Sequence, residues 1–175
     1  VRIDRVLECE IKSISGYRFQ FRHRSFVMRH MPIDFYGKLM PNRQLEHDEG
    51  PVTKLETIAR YRFNLAFENA IDPDYVTEKF FDPLEVGTVP IYFGAPNIET
   101  FSPGDHCFIN VSDFESPKAL AEFIVSLAED ELAYEKYFDW KQQPLRSQYL
   151  DLCELKHPPS FYRLGKLIRE LKSGI

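Results

Sequence analysis

The chain has 175 residues, of which 43% are hydrophobic and 14% aromatic, so it can bury the core of one ordinary domain. This composition excludes an intrinsically disordered chain, and a formal net charge of −5 argues against a general nucleic-acid binder. No apolar run approaches the ~20 residues of a membrane-spanning helix, and the opening residues do not form a signal peptide.

The first predicted elements are a strand within residues 6–14 and an arginine-rich segment at residues 17–31. The segment carries its arginines among aromatic residues, and Arg22 lies near its middle. A guanidinium suits a diphosphate because its planar fork donates two parallel hydrogen bonds. The alternative interpretation is the basic face of a helix in solvent.

The next stretch predicts a short strand, a surface loop and a helix. Residues 32–37 are typical of a strand with a turn, and residues 38–53 are polar with two prolines. Thr53 is followed three residues later by Glu56, which is the spacing of a capping box. We therefore expect a helix that starts at Thr53 and runs to Arg60.

The stretch from Tyr61 to Gly94 is the centre of the predicted fold. An apolar run at residues 63–67 is short enough for a buried strand, a helical pattern closes at Gly87, and a β-rich run occupies residues 89–93. Together they form a strand–helix–strand unit of a parallel sheet. In such sheets the ligand lies outside the carboxyl ends of the strands, near helix N-termini. Five polar side chains are expected to converge there: Glu68, Asn69, Tyr75, Glu78 and Lys79.

The rest of the chain predicts further elements of the same α/β kind. Residues 97–101 predict a short turn or helix, and residues 107–111 predict a strand. Ser116 and Pro117 form an N-cap with proline at the first helical position. Apolar residues at helical spacing predict an amphipathic helix after them: Leu120, Phe123, Ile124, Leu127 and Ala128. A further helix is expected over residues 131–141.

The tail at residues 161–175 predicts a basic amphipathic helix. Leucine and isoleucine side chains share one helical face, and a lysine or arginine recurs every three residues beside it. Such a helix can dock against its own domain, or it can make peripheral contact with an anionic membrane surface. Both readings stay open.

The central stretch resembles the donor-binding signature of the α1,3/4-fucosyltransferase family. The family pattern is roughly F-E-N-S, Y-V-T-E-K, G-x-V-P-V and G-x-x-N, and this chain has FENA, DYVTEKFFDPL and GTVPIYFGAPN in that order. Several motifs in the right order are far more specific than one glycine motif. The resemblance implies a Rossmann-like α/β domain over residues 1–160, the C-terminal donor half of a two-domain GT-B glycosyltransferase. The N-terminal acceptor domain is then expected to be missing from this fragment.

The resemblance also implies an activity and a set of donor-binding residues. The activity is inverting transfer of L-fucose from GDP-fucose to a hydroxyl of N-acetylglucosamine or glucose in an oligosaccharide or glycoconjugate, in α1,3/4 linkage. Arg22 and Lys79 are implied to bind the diphosphate, although Arg18 and Arg24 compete with Arg22 because the pattern there is irregular. Glu78 is implied to bind the ribose or fucose, and the remaining pocket residues are Glu68, Asn69 and Tyr75. Glu68 has a structural alternative, since it can hydrogen-bond its own turn.

Two rival functions remain at this stage. One is a truncated module that binds a GDP-sugar without turnover, because the family places its general base in the acceptor domain and no catalytic residue stands out here. The other is a metal-dependent glycosyltransferase, since Asp72-Pro73-Asp74 resembles a D-x-D motif that holds Mn²⁺ or Mg²⁺. The proline and the adjoining turn favour loop chemistry instead, so we expect no metal site at these residues. The donor GDP-fucose is then the only ligand required, and a divalent metal is possible but not essential. The family occurs at bacterial membranes and in the Golgi lumen, which leaves the compartment open.

Overall fold

The structure, a computed structural model, describes residues 2–8, 32–36, 41–45 and 49–156. Its centre is a five-stranded sheet in the order β2-β1-β3-β4-β5, and every neighbouring pair is parallel. The strands are β1 Arg2–Glu8, β2 Ile33–Phe35, β3 Tyr61–Phe67, β4 Val89–Phe93 and β5 Ile109–Asn110. The prediction of an α/β domain with a parallel sheet is confirmed.

The helices connect and cover these strands. They are α1 Pro51–Ile58, α2 Glu78–Val86, α3 Pro117–Glu129, α4 Glu131–Glu135 and α5 Ser147–Lys156, with 3₁₀ turns at Ile98–Phe101, Val111–Asp113 and Lys136–Gln142. The predicted cap of α3 is present, because the Ser116 hydroxyl accepts the Ala119 N–H at 3.1 Å. Gly87 ends α2 in the left-handed region at φ 79°, which a glycine adopts without steric cost.

Helices pack on both faces of the sheet. Every residue of β3 is buried, as expected for a parallel strand covered on both sides. Alternate residues of a strand point to opposite faces. Phe63 and Leu65 belong to the same core cluster as Leu120 of α3, whereas Ala66 belongs to a second cluster with Phe80 of α2. The sheet is therefore the middle layer of three.

The structure corrects two predicted boundaries near the amino-terminal half. The first strand is β1 at Arg2–Glu8, earlier than the predicted residues 6–14, of which residues 9–14 lie outside the described residues. The capping box at Thr53 is wrong, because α1 begins at Pro51 after Gly50. Proline suits the first helical position since it has no N–H to satisfy. The Thr53 hydroxyl instead accepts the Glu49 N–H at 2.9 Å, just ahead of the helix.

Two predictions in the second half also needed correction, and one helix was not predicted. The strand predicted over residues 107–111 is only Ile109–Asn110. The helix predicted over residues 131–141 is α4 followed by a 3₁₀ turn. The helix α5 was not predicted, because its apolar residues do not gather on one face. The predicted tail helix and the candidate Arg22 lie outside the described residues. Within the parts of the chain that are described, no helix is long and apolar enough to span a bilayer.

A buried polar group joins the edge strand β2 to the centre of the sheet. Asp34 is fully buried, and its carboxylate accepts hydrogen bonds from the Tyr61 hydroxyl at 2.7 Å and from Arg43 Nε at 3.0 Å. The Tyr36 and Tyr61 hydroxyls lie 3.1 Å apart. Burial, with the hydroxyl of Tyr36 and the carboxylate of Asp34, raises the pKa of Tyr61 well above its ordinary value. The Tyr61 hydroxyl therefore keeps its proton at neutral pH and donates it in the hydrogen bond to Asp34.

Replacing Tyr61 with phenylalanine is expected to lower the free energy of unfolding by about 1.5–3 kcal/mol, because a buried carboxylate loses a donor. Tyr36→Phe is the matched control, since it removes a hydroxyl from the same cluster that has no bond to Asp34 in the described contacts. Urea unfolding of both variants measures the difference. Equal losses for the two variants would contradict a special role for the Tyr61–Asp34 bond.

Candidate functional site

The strand order places a crevice at the carboxyl end of β3. In a doubly wound sheet of order 2-1-3-4-5 the connections change direction between β1 and β3, and ligands bind outside the carboxyl ends of the strands at that point. Glu68 and Asn69 directly follow β3, and Gly94 directly follows β4. The Glu68 N–H donates to the Phe93 carbonyl at 2.8 Å, so the two strand ends are held side by side.

Glu68 is a buried anchor for the N-terminus of α2. The residue is 2% exposed, and its two carboxylate oxygens accept from Thr77 N at 2.7 Å and from Thr77 Oγ1 at 2.8 Å. Burial raises the pKa of Glu68 above its ordinary value, although the bonds from Thr77 and the nearby Lys79 oppose the rise. A carboxylate in this position fixes where the helix begins.

Lys79 lies at the positive end of α2 between two carboxylates. Its Nζ is 3.4 Å from Glu78 Oε1, 3.9 Å from Glu68 Oε2 and 3.3 Å from the Thr77 hydroxyl, and its side chain is 12% exposed. Burial opposes the ionisation of Glu78, but the Lys79 ammonium holds the pKa of Glu78 below its ordinary value. A fixed ammonium at the positive end of a helix dipole is suited to an anion such as a phosphate.

A second cation, missed by the sequence analysis, comes from α1. Lys54 Nζ lies 2.9 Å from Asp82 Oδ2 and 3.9 Å from Glu78 Oε1. Lys54 and Lys79 thus both approach the same carboxylate oxygen of Glu78. No spacing in the sequence links Lys54 to Glu78, because the two residues meet only when α1 packs against α2.

The loop between β3 and α2 forms the rim of this crevice. Tyr75 is 37% exposed there, and its N–H donates to the Asp72 carbonyl at 3.2 Å. The Asp74 carboxylate accepts from Asn97 Nδ2 at 2.7 Å, while the Asp74 N–H donates to Asn97 Oδ1 at 3.0 Å. Asp74 is thus held by an amide from the loop after β4. Among residues that the structure describes, no three His, Cys, Asp or Glu side chains cluster as metal ligands would.

Gly94 lies directly against the side chains of Glu68 and Tyr92 at the end of β4. A Cβ atom built there would lie 2.5 Å from Glu68 Cγ, 2.8 Å from Glu68 Cβ and 2.5 Å from the Tyr92 hydroxyl. Both neighbours are buried and held, since the Tyr92 hydroxyl accepts the Ala95 N–H at 2.9 Å. Only a residue without a side chain fits between them, which explains the glycine at this strand end.

The structure brings together three of the residues predicted from the sequence. Glu68, Glu78 and Lys79 surround one point at the N-terminus of α2. Asn69 is half-buried immediately after Glu68, and Tyr75 lies on the rim. The site also contains residues to which the sequence analysis gave no role: Lys54, Thr77, Gly94 and Asn97. The donor-binding roles assigned from the sequence remain predictions.

Comparison with known proteins gives one family. The family model that matches is glycosyltransferase family 10 (fucosyltransferase), C-terminal part, over residues 10–170. Relatives include GDP-fucose protein O-fucosyltransferase 3 of Canis lupus familiaris and of Homo sapiens, each 36% identical over 155 residues, 85% of this chain and 30% of the relative. The same-named protein of Gallus gallus is 42% identical over 123 residues, 66% of this chain and 26% of the relative. The chain thus spans about three tenths of the length of these relatives.

Solved structures show the same fold. A crystal structure of an α1,3-fucosyltransferase superposes with a TM-score of 0.62 at 26% identity, covering 77% of this chain and 37% of that one. A crystal structure of α1,3-fucosyltransferase with GDP-fucose superposes with a TM-score of 0.65 at 24% identity, covering 83% of this chain and 41% of that one. These likenesses establish the GT-B type of fold for the parallel sheet described above.

Proposed function

Because this chain belongs to glycosyltransferase family 10, the fucosyltransferases, we propose that it binds GDP-fucose and forms the donor half of an enzyme that transfers L-fucose with inversion. The observation that carries the proposal is the Lys79 ammonium, fixed at the N-terminus of α2 between Glu68 and Glu78. The site lies at the carboxyl end of β3, where sheets of this order bind nucleotides.

The diphosphate and the sugars of the donor have proposed partners in this chain. The diphosphate is proposed to bind Lys79 at the positive N-terminus of α2, and Arg22 is proposed to supply a second positive charge. Glu78, whose side chain is 48% exposed, is proposed to accept hydrogen bonds from hydroxyls of the ribose or fucose. Asn69 and Tyr75 complete the rim.

These residues act on the leaving group of the reaction. The acceptor oxygen loses its proton to a general base and attacks C1 of fucose, while the bond from C1 to the β-phosphate oxygen breaks and GDP departs with the electron pair. Lys79 and the α2 N-terminus stabilise the negative charge that grows on GDP. We propose that this electrostatic stabilisation makes a divalent metal non-essential, and that the base belongs to the acceptor domain that the family resemblance implies.

The acceptor we favour is a hydroxyl group of a protein. The relatives named protein O-fucosyltransferase are 36–42% identical to this chain, whereas the solved α1,3-fucosyltransferase is 26% identical. The alternative is the sugar hydroxyl and α1,3/4 linkage expected from the sequence motifs. Fucose transfer by the protein, assayed with a folded protein acceptor and with an N-acetylglucosamine oligosaccharide, distinguishes the two.

We expect this chain to bind GDP and GDP-fucose at least ten-fold more tightly than UDP and UDP-sugars, a difference of about 1.4 kcal/mol. The reason is that the signature around Lys79 resembles that of a guanine-nucleotide site. Calorimetric titration with the four ligands measures it, and a parallel titration in EDTA tests for a metal. UDP-sugars binding as tightly would overturn the donor assignment, and loss of binding in EDTA would favour the rival Asp72–Asp74 metal site.

A further inference from the structure

We propose that Asp74 and Asn97 form a positioning pair that holds the rim loop, residues 70–77, in the conformation that receives the donor. This inference rests on the proposed function, because it concerns how the GDP-fucose site is kept in shape. Asp74 then stabilises the conformation of the loop and does not act as the metal ligand that the D-x-D spacing suggests. Its partner Asn97 lies 23 positions further along the chain.

The pair makes two reciprocal hydrogen bonds. The Asp74 N–H donates to Asn97 Oδ1 at 3.0 Å, and Asn97 Nδ2 donates to Asp74 Oδ1 at 2.7 Å. One amide side chain thus satisfies both the backbone and the side chain of the same loop residue. This fixes the orientation of the loop as well as its distance from the sheet.

The backbone conformation of Asp74 explains why the loop needs stabilising hydrogen bonds from Asn97. Asp74 has φ 64°, in the left-handed region that non-glycine residues seldom adopt, although aspartate tolerates it better than most. The turn depends on this conformation, because the Asp74 carbonyl accepts the Val76 N–H at 3.1 Å and the Asp72 carbonyl accepts the Tyr75 N–H. Without Asn97, other backbone conformations of Asp74 compete with the turn that presents Tyr75.

Asn97, by contrast, belongs to a segment whose neighbouring residues are buried and hydrogen-bonded. Its carbonyl accepts the Thr100 N–H at 3.0 Å, and the next residue, Ile98, is fully buried. Ala95, two residues earlier, is buried and donates its N–H to the Tyr92 hydroxyl. The exposed rim loop is therefore tied to the body of the domain at Asn97 and, through Glu68, at Thr77.

The Glu68–Thr77 contact and the Asp74–Asn97 contact differ in the expected effect of their removal. The Glu68–Thr77 bonds are buried, so breaking them leaves unpaired polar groups in the core. The Asp74–Asn97 bonds are at the surface, so water can replace them without unfolding the domain. Losing the outer pair lowers the fraction of molecules whose loop is ready for the donor, and the apparent affinity falls in proportion.

The test uses three variants of the chain. Asn97→Asp places two carboxylates against each other and should weaken GDP-fucose binding by about ten-fold. The exchange Asp74→Asn with Asn97→Asp restores a donor and an acceptor and should recover wild-type affinity. Asp74→Asn alone is the matched control, because it keeps both hydrogen bonds but removes the carboxylate charge that a metal would need. Calorimetry gives the affinities, thermal unfolding checks the fold, and hydrogen exchange reads the amides of residues 72–77.

Each outcome decides the question. Faster exchange at residues 72–77 and weaker binding in Asn97→Asp, both reversed by the exchange variant, support the positioning pair. Affinity lost in Asp74→Asn, together with sensitivity to EDTA, would overturn it in favour of a metal site. Unchanged affinity in Asn97→Asp would also overturn it. If the wild-type chain itself fails to bind GDP-fucose, the proposed function is wrong. Hydrogen exchange at residues 72–77 still tests whether the Asp74–Asn97 pair stabilises the loop.

Discussion

Replacing Lys79 with alanine is expected to weaken binding of GDP and GDP-fucose by about ten-fold to over a hundred-fold. The ammonium is largely buried at the N-terminus of α2, and a charge-assisted hydrogen bond of this kind is worth roughly 1.5–3 kcal/mol. Lys79→Arg should recover only part of the affinity, since a planar fork does not replace a compact ammonium. Calorimetric titration of each variant measures the loss.

Two controls make the Lys79 result specific. Guanosine has no phosphate, so its binding should change little in Lys79→Ala. Lys118 on α3 is an exposed lysine that pairs only with Glu122 in the described contacts, so Lys118→Ala should leave GDP affinity unchanged. The domain should stay folded in Lys79→Ala because Glu68 keeps its two bonds from Thr77. Equal losses for guanosine and GDP, or no loss for either, would refute the phosphate contact.

Replacing Gly94 with alanine is expected to lower the free energy of unfolding by about 1–3 kcal/mol and to weaken donor binding as well. The added methyl group would lie 2.5 Å from Glu68 Cγ and from the Tyr92 hydroxyl, both of which are buried and hydrogen-bonded. If Glu68 gives way, its bonds to Thr77 distort, and the N-terminus of α2 moves with them. Urea unfolding and GDP titration of the same sample measure the two effects.

A second substitution tests whether the cause is this steric conflict. Tyr92→Phe removes one of the three obstructing atoms, so the loss from Gly94→Ala should be smaller in that background by about 0.5 kcal/mol or more. Strictly additive losses would show that the methyl group does not meet Tyr92. An unchanged unfolding midpoint in Gly94→Ala would show that the strand end yields without cost.

The sequence predicted the fold and the location of the site because the relevant signals are local. The run at residues 63–67 is apolar without alternation, as in a buried parallel strand, and Gly87 marks the end of α2. Polar residues directly after a strand fall at its carboxyl end by the direction of the chain alone. Lys79 and Glu78 could thus be placed at one helix N-terminus before any coordinates were known.

Contacts between distant parts of the chain could not be predicted in this way. Arg62, at the start of β3, has a side chain only 5% exposed, which its charge does not suggest. It is buried because Nη1 pairs with Glu131 at 2.8 Å and the guanidinium stacks 3.8 Å above the ring of Tyr134, 72 positions further along. The contact between Asp74 and Asn97 could likewise not be predicted from the sequence. The partner in each case is supplied by another loop or helix only after the sheet forms.

The short outer strands of the sheet have a consequence for how this chain behaves in concentrated solution. In the part of the chain that the structure describes, the two edges are β2 with three residues and β5 with two. A long flat edge recruits strands from neighbouring molecules and starts aggregation, whereas a very short edge offers few backbone groups for that pairing. The strand β3 lies between the two other long strands, β1 and β4, and pairs with both of them. Among the described strands, β3 is therefore protected from intermolecular pairing in the folded domain, and partial unfolding that exposes its apolar residues is expected to promote aggregation.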